Sequence, residues 1–205
     1  MKTLAVLFGG QSTEHEISDL SACFVAENLD ETKYELMMIG ITKDGRWFWY
    51  TGPVDAIRCH TWQDDAENLV PCVVSPCSAH HGLLLLDKAA GTFAVRRVDV
   101  VFPVLHGLYG EDGTVQGLLE LAKIPYVGCG VLSSAVSMDK LSTKILVSSL
   151  GIRQAAYVPV MKEELSDMDG VVSRIEQAFA YPEFIKPSNA GSSRGVSSAD
   201  NRKML

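Results

Sequence analysis

Residues 3–18 read TLAVLFGGQSTEHEIS, and this stretch decides the fold of the first part of the chain. Residues 3–8 are apolar and predict a buried strand. Two glycines then turn the chain, and Thr13 with Glu16 three residues later matches a capping box at a helix start. Apolar residues follow at helical spacing, namely Ile17, Leu20 and Phe24. The opening therefore predicts a strand, a glycine turn and a helix.

Strand and helix patterns alternate further along the chain. Strands are predicted at 34–42, 47–50, 98–105 and 125–127, a hairpin at 83–87 and 92–97, and helices at 114–123 and from about 133 to 150. Such alternation predicts an α/β domain with an open, mainly parallel sheet and flanking helices.

The composition changes after Gly151, a glycine placed to cap the preceding helix. A strand at 155–161, a helix at 168–179 and a strand at 183–186 are predicted, and Asp200 is a plausible helix N-cap. We therefore expect an N-terminal domain over residues 1–128. Residues 129–205 would hold a linker helix and a partial α+β subdomain.

Composition and charge exclude several classes of protein. The 205 residues are 47% hydrophobic and 21% charged, as in ordinary globular proteins, and the net charge of −7 argues against nucleic-acid binding by bulk charge. No apolar run approaches the roughly 20 residues of a membrane span, so a cytoplasmic protein is expected. Five cysteines, an odd number, do not suggest a disulfide framework, and no metal site is predicted.

Two loops that follow strands carry candidate binding residues. Glu14 stands near the start of the first helix, where a carboxylate receives a ligand ammonium group or merely favours the helix dipole. His106 opens the glycine-rich loop HGLYGEDG at the end of a buried strand, where ligands of open α/β sheets tend to bind. Glu111 and Asp112 in the same loop are better explained as acids at a helix N-terminus.

A second group of candidates lies in the last third of the chain. The loop from Gly191 to Gly195 contains Ser192 and Ser193, and its backbone N–H groups suit phosphate oxygens. Lys186 lies just upstream and supplies a positive charge. A mobile surface hairpin is the alternative for the loop. Lys140 falls inside a predicted helix, where a solvated helical face is the simpler interpretation.

Taken together, these segments resemble the D-alanine–D-alanine ligases of the ATP-grasp superfamily. The resemblance rests on motifs in family order and spacing over the whole chain: residues 8–18, 104–107, 110–117, 125–128, 133–140, 185–187 and 191–193. Residues 40–52 also resemble the longer N-terminal domain of a subgroup that includes the VanG-type D-alanine–D-serine ligases. The implied fold is a pre-ATP-grasp domain followed by part of the central ATP-grasp subdomain.

The resemblance also implies roles for residues. Family members phosphorylate the carboxylate of one D-alanine with ATP, and the amine of a second D-alanine attacks the acyl phosphate. Glu14 matches the acid that holds the first D-alanine's ammonium group, and His106 a histidine near that substrate. Ser192 matches a loop serine linked through a tyrosine to the glutamate, so Glu14 and Ser192 are the expected catalytic residues. The implied ATP ligands are Lys140, Lys186, Gly191, Ser192 and Ser193.

Other implied parts of the family enzyme have no counterpart in these residues. On this resemblance we expect the family's C-terminal domain to be absent from these residues, and with it the carboxylates and asparagine that bind two Mg²⁺ ions and the loop that selects the second substrate. We therefore expect the chain alone to be inactive. The resemblance also implies a homodimer through the N-terminal domain. Ligation with D-serine or D-lactate, a non-catalytic binding or dimerisation module, and another ATP-grasp ligase stay open as alternatives. Leu108 and Tyr109 depart from a pair that is more often polar or glycine.

Overall fold

The computed structural model describes all residues, Met1–Leu205, and divides them into two compact units, Met1–Ala135 and Val136–Leu205. The boundary between the units follows Ala135, whereas the sequence-based boundary between domains follows Gly128.

A seven-stranded sheet forms the centre of the first unit. Its strands are β1 (Lys2–Gly9), β2 (Tyr34–Ile41), β3 (Trp47–Tyr50), β4 (Leu69–Val74), β5 (Gly82–Asp87), β6 (Thr92–Arg97) and β7 (Val100–Pro103). The order across the sheet is β6-β5-β4-β3-β2-β1-β7. β1 pairs in parallel with β2 and β7, and the pairings from β2 through β6 are antiparallel. The predicted α/β class is confirmed, and the sheet is mixed, with its parallel pairings gathered around β1.

The structure has six α-helices: α1 (His15–Glu27), α2 (Val54–Arg58), α3 (Thr114–Ala122), α4 (Val131–Met138), α5 (Lys140–Ser149) and α6 (Met168–Ala178). Three short 3-10 helices cover Trp62–Asp64, Ala66–Asn68 and Lys162–Ser166. The second unit also contains a two-stranded antiparallel sheet, β8 (Glu183–Ile185) with β9 (Ser197–Ala199). None of these helices has the length and apolar character that crossing a bilayer requires.

β1 is buried on both faces, which explains its unbroken apolar run. Leu4, Val6 and Phe8 join a core cluster with Ala22 of α1 and Trp62. Ala5 and Leu7 join a second cluster, on the opposite face, that includes Val115 and Leu119 of α3. A strand covered on both faces needs apolar residues at every position, so β1 does not alternate.

The apolar residues of α1 predict which side of the helix is buried, but in the structure that side is exposed and the opposite side packs against the sheet. Ile17, Leu20 and Phe24 are 54%, 44% and 69% exposed. The buried side consists of His15, Ser18, Asp19, Ala22 and Cys23. Polar groups face inward because the ends of β1 and β7 leave backbone atoms beneath this helix that need hydrogen-bond partners.

The predicted capping box at the start of α1 is not formed. Glu14 occupies the N-cap position and its side chain makes no capping hydrogen bond. Glu16 instead forms an exposed ion pair with Lys43 in the turn after β2. The hydrogen bond from Lys43 lowers the pKa of Glu16.

The helix predicted from about 133 to 150 is two helices. α4 ends at Met138, and Asp139 is the N-cap of α5, where its Oδ1 accepts a hydrogen bond from the Ser142 N–H at 2.6 Å. Gly151 follows α5 with a φ of +70°, as its capping role predicts. The strand predicted at 155–161 is absent, whereas the hairpin, α3 and α6 match their predicted positions.

We expect Asp139→Ala to destabilise α5 by ~1 kcal/mol, because it removes the side-chain acceptor for the helix N-terminus. Native-state hydrogen exchange of the α5 amides would measure this loss. Asp200→Ala is the matched control, because Asp200 is exposed and precedes a turn where the sequence predicts a helix start. Equal exchange rates in α5 of both variants would contradict the capping role.

Candidate functional site

Glu14 lies beside the loop that follows β7. Its backbone N–H donates a hydrogen bond of 3.0 Å to the Ser12 hydroxyl. A Cβ atom built on Gly107 would lie 2.9 Å from Glu14 Oε2 and 2.9 Å from Ser12 Oγ. The Glu14 carboxylate, the Ser12 hydroxyl and the Gly107 backbone therefore meet beyond the carboxyl ends of two adjacent parallel strands, as the sequence predicts for ligand-binding loops.

His106 reaches from the same loop to α1. Its Nε2 lies 3.1 Å from Ser21 Oγ. The Ser21 hydroxyl donates to the Ile17 carbonyl, so we assign Nε2–H of His106 as the donor to Ser21. In the neutral ring this leaves Nδ1 as an acceptor. β7 ends at Pro103, so His106 lies three residues beyond the strand and not at its end as predicted.

The two acids of this loop hold its backbone. Glu111 Oε2 accepts a hydrogen bond from the Gly107 N–H at 2.6 Å. Asp112 accepts hydrogen bonds from Thr114 N–H at 3.0 Å, at the start of α3, and from Tyr109 N–H at 2.8 Å. Burial alone would raise the pKa of Asp112, but several hydrogen bonds, with those from Thr114 N–H and Tyr109 N–H the largest, outweigh it and the pKa is lowered. The helix-terminus interpretation is confirmed for Asp112.

Sequence reasoning missed the buried polar residues beneath this site. Ser18 Oγ accepts from Gly9 N–H at 2.9 Å and donates to the Val104 carbonyl at 2.6 Å. His15 Nδ1 lies 2.8 Å from the Gly10 carbonyl. The available signal was their spacing, since positions 15, 18, 19 and 22 recur at the helical period as regularly as the apolar set does.

In the second unit, the start of α5 is bonded to the segment that precedes the glycine loop. Lys140 N–H donates to the Ser188 carbonyl at 3.0 Å, and Lys140 Nζ donates to the Ala190 carbonyl. Ser188 Oγ donates to Asp139 Oδ2 at 2.6 Å, which lowers the pKa of Asp139. Lys140 is therefore not on a solvated helical face, because the break between α4 and α5 places it against residues 188–190.

The loop itself is an exposed turn with unusual backbone geometry. Ser192 and Ser193 have positive φ values of 46° and 59°, and the Arg194 N–H donates to the Gly191 carbonyl at 2.9 Å. Positive φ is uncommon for residues other than glycine, and it concentrates at functional sites. Lys186 is exposed one residue after β8. Lys186 and Lys140 thus flank the segment that leads into the loop.

No group of three or more His, Cys, Asp or Glu side chains is arranged to hold a metal ion.

Two family models match the chain. The model described as D-ala D-ala ligase N-terminus matches residues 3–129, and the one described as D-ala D-ala ligase C-terminus matches residues 146–205. The chain belongs to the D-alanine–D-alanine ligase family. Among its relatives, the D-alanine–D-alanine ligase of Acetivibrio thermocellus is 47% identical over all of this chain and 57% of that protein. The enzyme of Caldicellulosiruptor bescii is 51% identical over 98% of this chain and 54% of that protein.

Solved structures of ligases have the same fold. The VanG D-Ala:D-Ser ligase from Enterococcus faecalis matches with a TM-score of 0.89 and 44% identity, over 98% of this chain and 56% of that one. The D-alanine–D-alanine ligase from Bacillus anthracis, complexed with ATP, matches with a TM-score of 0.59 and 25% identity, over 99% of this chain and 52% of that one. The chain thus spans about half the length of the ligases that it matches.

We expect Gly107→Ala to displace the Glu14 carboxylate, because the added methyl group would lie 2.9 Å from Glu14 Oε2. Gly91→Ala is the matched control: Gly91 has a φ of +64° and Gly107 of +71°, but a Cβ on Gly91 meets nothing within 4 Å. Both variants carry a left-handed backbone strain of roughly 1–2 kcal/mol. Carbon-detected NMR of the Glu14 carboxylate should change in Gly107→Ala alone, and an unchanged signal would contradict the contact.

Proposed function

We propose that the chain forms the first D-alanine site and part of the ATP site of a D-alanine–D-alanine ligase. Such an enzyme activates D-alanine with ATP as an acyl phosphate and joins it to a second D-alanine, for peptidoglycan synthesis in the cytoplasm. Membership of the family supports the proposal. The observation that carries it is the Glu14 carboxylate beside Ser12 and the Gly107 backbone, at the carboxyl ends of β1 and β7.

Glu14 would receive the ammonium group of the first D-alanine. A carboxylate and an ammonium group form a charge-assisted hydrogen bond, about twice as strong as a neutral one. His106, with its Nε2 committed to Ser21, would face the same substrate with Nδ1. These groups orient the substrate, which is the main requirement of a phosphoryl transfer that depends on positioning.

Lys140, Lys186 and the loop of Gly191, Ser192 and Ser193 would bind the phosphates of ATP. Two ammonium groups near a loop whose backbone N–H groups can approach phosphate oxygens neutralise phosphate charge, and this stabilises the transferring group. Ser192 is the proposed catalytic residue of the loop. The family resemblance also implies magnesium, which would assist phosphate binding by neutralising phosphate charge.

D-alanine–D-serine ligation is the second candidate. It is favoured by the match to the VanG D-Ala:D-Ser ligase, at a TM-score of 0.89. The first substrate and the ATP site are the same in both reactions, so assays with D-serine and D-lactate as second substrates would distinguish them. A non-catalytic binding module is the alternative of a different class.

To test the function, the chain would be joined to the C-terminal part of the Acetivibrio thermocellus ligase that it does not match. We expect D-alanine-dependent ADP formation from the joined protein and none from the 205-residue chain alone. In the joined protein, Glu14→Gln should raise KM for the first D-alanine roughly ten- to a hundredfold, because it removes a charged hydrogen-bond partner.

Glu16→Gln is the matched control for Glu14→Gln. Glu16 lies two residues away in an exposed ion pair with Lys43, and exposed ion pairs contribute at most ~1 kcal/mol. Equal KM values for the two variants would contradict the role of Glu14. An inactive joined protein that retains D-alanine binding would favour the binding-module alternative.

We also propose that the ligase is a homodimer through its N-terminal unit. Support comes from the row of exposed apolar residues on α1, namely Ile17, Leu20 and Phe24. They recur at the spacing of a single helical face, and a second copy of the same face is a complementary apolar surface in a twofold dimer.

We expect Phe24→Glu to convert the dimer to a monomer, because it places a charge in an apolar contact. Phe93→Glu is the control, since Phe93 is 57% exposed on β6, away from α1. Light scattering after gel filtration would give the mass of each variant. A dimer that persists in Phe24→Glu, or is lost equally in Phe93→Glu, would refute the assignment of this surface.

A further inference from the structure

A buried network of two histidines and an aspartate lies beneath the loop that carries Glu14. His15 is 1% exposed, and its Nδ1 lies 2.8 Å from the Gly10 carbonyl. Asp19 is fully buried one turn further along α1, and its Oδ2 accepts a hydrogen bond of 2.9 Å from His60 Nδ1. His15 Nε2 and Asp19 Oδ2 are 3.9 Å apart, so the carboxylate lies between the two imidazoles.

The partners of His15 fix where its proton lies. The Gly10 carbonyl can only accept a hydrogen bond, so we assign the proton to Nδ1 of His15. Nε2 then faces the Gln63 amide at 3.2 Å and the Asp19 carboxylate. The ring stacks on Trp62 with an interplanar angle of 13°. His15 therefore binds the Gly10 carbonyl with a ring whose orientation is fixed by its contacts with Gln63, Asp19 and Trp62.

Packing alone does not account for this network. Burial raises the pKa of Asp19, which means that the carboxylate is held in an unfavourable environment although the His60 hydrogen bond opposes this effect. Replacement of buried ionic groups by apolar residues of similar volume is often neutral or stabilising. The network contacts the Gly10–Glu14 loop directly through the hydrogen bond between His15 Nδ1 and the Gly10 carbonyl.

The loop needs such a restraint because its backbone begins with two glycines. Gly9 and Gly10 have φ values of +81° and +97°. Glycine adopts positive and negative φ values about equally readily, so these two residues do not by themselves fix the conformation of the turn. A Cβ on Gly9 would lie 2.9 Å from the His15 ring, so the turn is packed directly against that ring. The position of Glu14, four residues after Gly10, depends on how this turn is held.

We propose that Asp19 and His60 are positioning residues, which act through His15 to hold the Gly10–Glu14 loop in the conformation that receives the D-alanine ammonium group. The identity of this ligand rests on the proposed function. The path of contacts runs from exposed His60, through its hydrogen bond to buried Asp19, to the His15 ring, whose Nε2 lies 3.9 Å from the Asp19 carboxylate and whose Nδ1 holds the Gly10 carbonyl. None of these three side chains belongs to the group proposed to contact substrate.

The test compares Asp19→Asn, His60→Gly and His60→Asn in the 205-residue chain. His60 has a φ of +59°, which both glycine and asparagine tolerate, but only asparagine restores a donor to Asp19. Glu35→Gln is the control, because Glu35 pairs with Thr3 and Arg96 near the opposite end of β1. The readouts are the ¹H–¹⁵N amide shifts of residues 10–14 and 107, and D-alanine affinity by titration.

We expect Asp19→Asn and His60→Gly to shift the amide signals of residues 10–14. They should also weaken D-alanine binding roughly three- to tenfold, the factor that follows from losing one hydrogen bond of typical strength. His60→Asn and Glu35→Gln should match the parent chain. If Asp19→Asn does not fold, the two His60 variants decide, because His60 is exposed and its replacement leaves no cavity.

Unmoved loop signals in His60→Gly, or equal displacement in His60→Asn and His60→Gly, would overturn the inference. Equal D-alanine affinity in all variants, with the loop unmoved, would overturn it while leaving the proposed function intact. Displaced loop signals in His60→Gly alone, with D-alanine bound by neither that variant nor the parent, would support the positioning network and count against the proposed D-alanine site.

Discussion

The hydroxyl group of Ser18 joins the two parallel strands on which the candidate site depends. It accepts from the Gly9 N–H at 2.9 Å and donates to the Val104 carbonyl at 2.6 Å, and Ser18 is fully buried. Both backbone groups lie just beyond the last pair between β1 and β7, Leu7 with Pro103, so neither finds its partner in the other of these two strands. An unpaired buried backbone group costs about 1–3 kcal/mol. One side chain of α1 thus satisfies both strand ends and holds the Glu14 loop and the Gly107 loop at a fixed separation.

This constraint also explains where the sequence-based prediction of α1 succeeded and where it was wrong. The apolar residues 17, 20 and 24 correctly predict a helix, because any regular recurrence near 3.6 residues does so. They do not reveal which side is buried, since residues 15, 18, 19 and 22 recur with the same period. Burial of the polar side follows from the hydrogen bonds that the strand ends require, and those ends come from residues about 85 positions away. Local periodicity therefore supports both sides of the helix equally and cannot by itself show which one is buried.

The second unit shows the same limit in a different form. Residues 155–161 have the composition of a strand, but a strand needs a partner, and the sheet of this unit consists of β8 and β9. Side chains take over part of that pairing role: Lys144 Nζ donates to the Ala155 carbonyl at 3.0 Å and Arg174 to the Pro159 carbonyl at 3.1 Å. The division of the predicted helix at Asp139 is similar, because Ser188, 49 positions away, bonds the aspartate that caps α5.

The contacts of Lys140 show what geometry adds to a resemblance. The resemblance assigns this lysine to ATP phosphates, and its ammonium group already donates to the Ala190 carbonyl. These two roles are compatible, because an ammonium group has three donors and the carbonyl uses one. The same bond that orders residues 188–190 leaves two N–H groups for an anion beside the glycine loop. If Lys140 binds ATP as proposed, one lysine at the start of α5 would combine a structural and a binding function. The break at Asp139, which local periodicity missed, is what puts the lysine in that position.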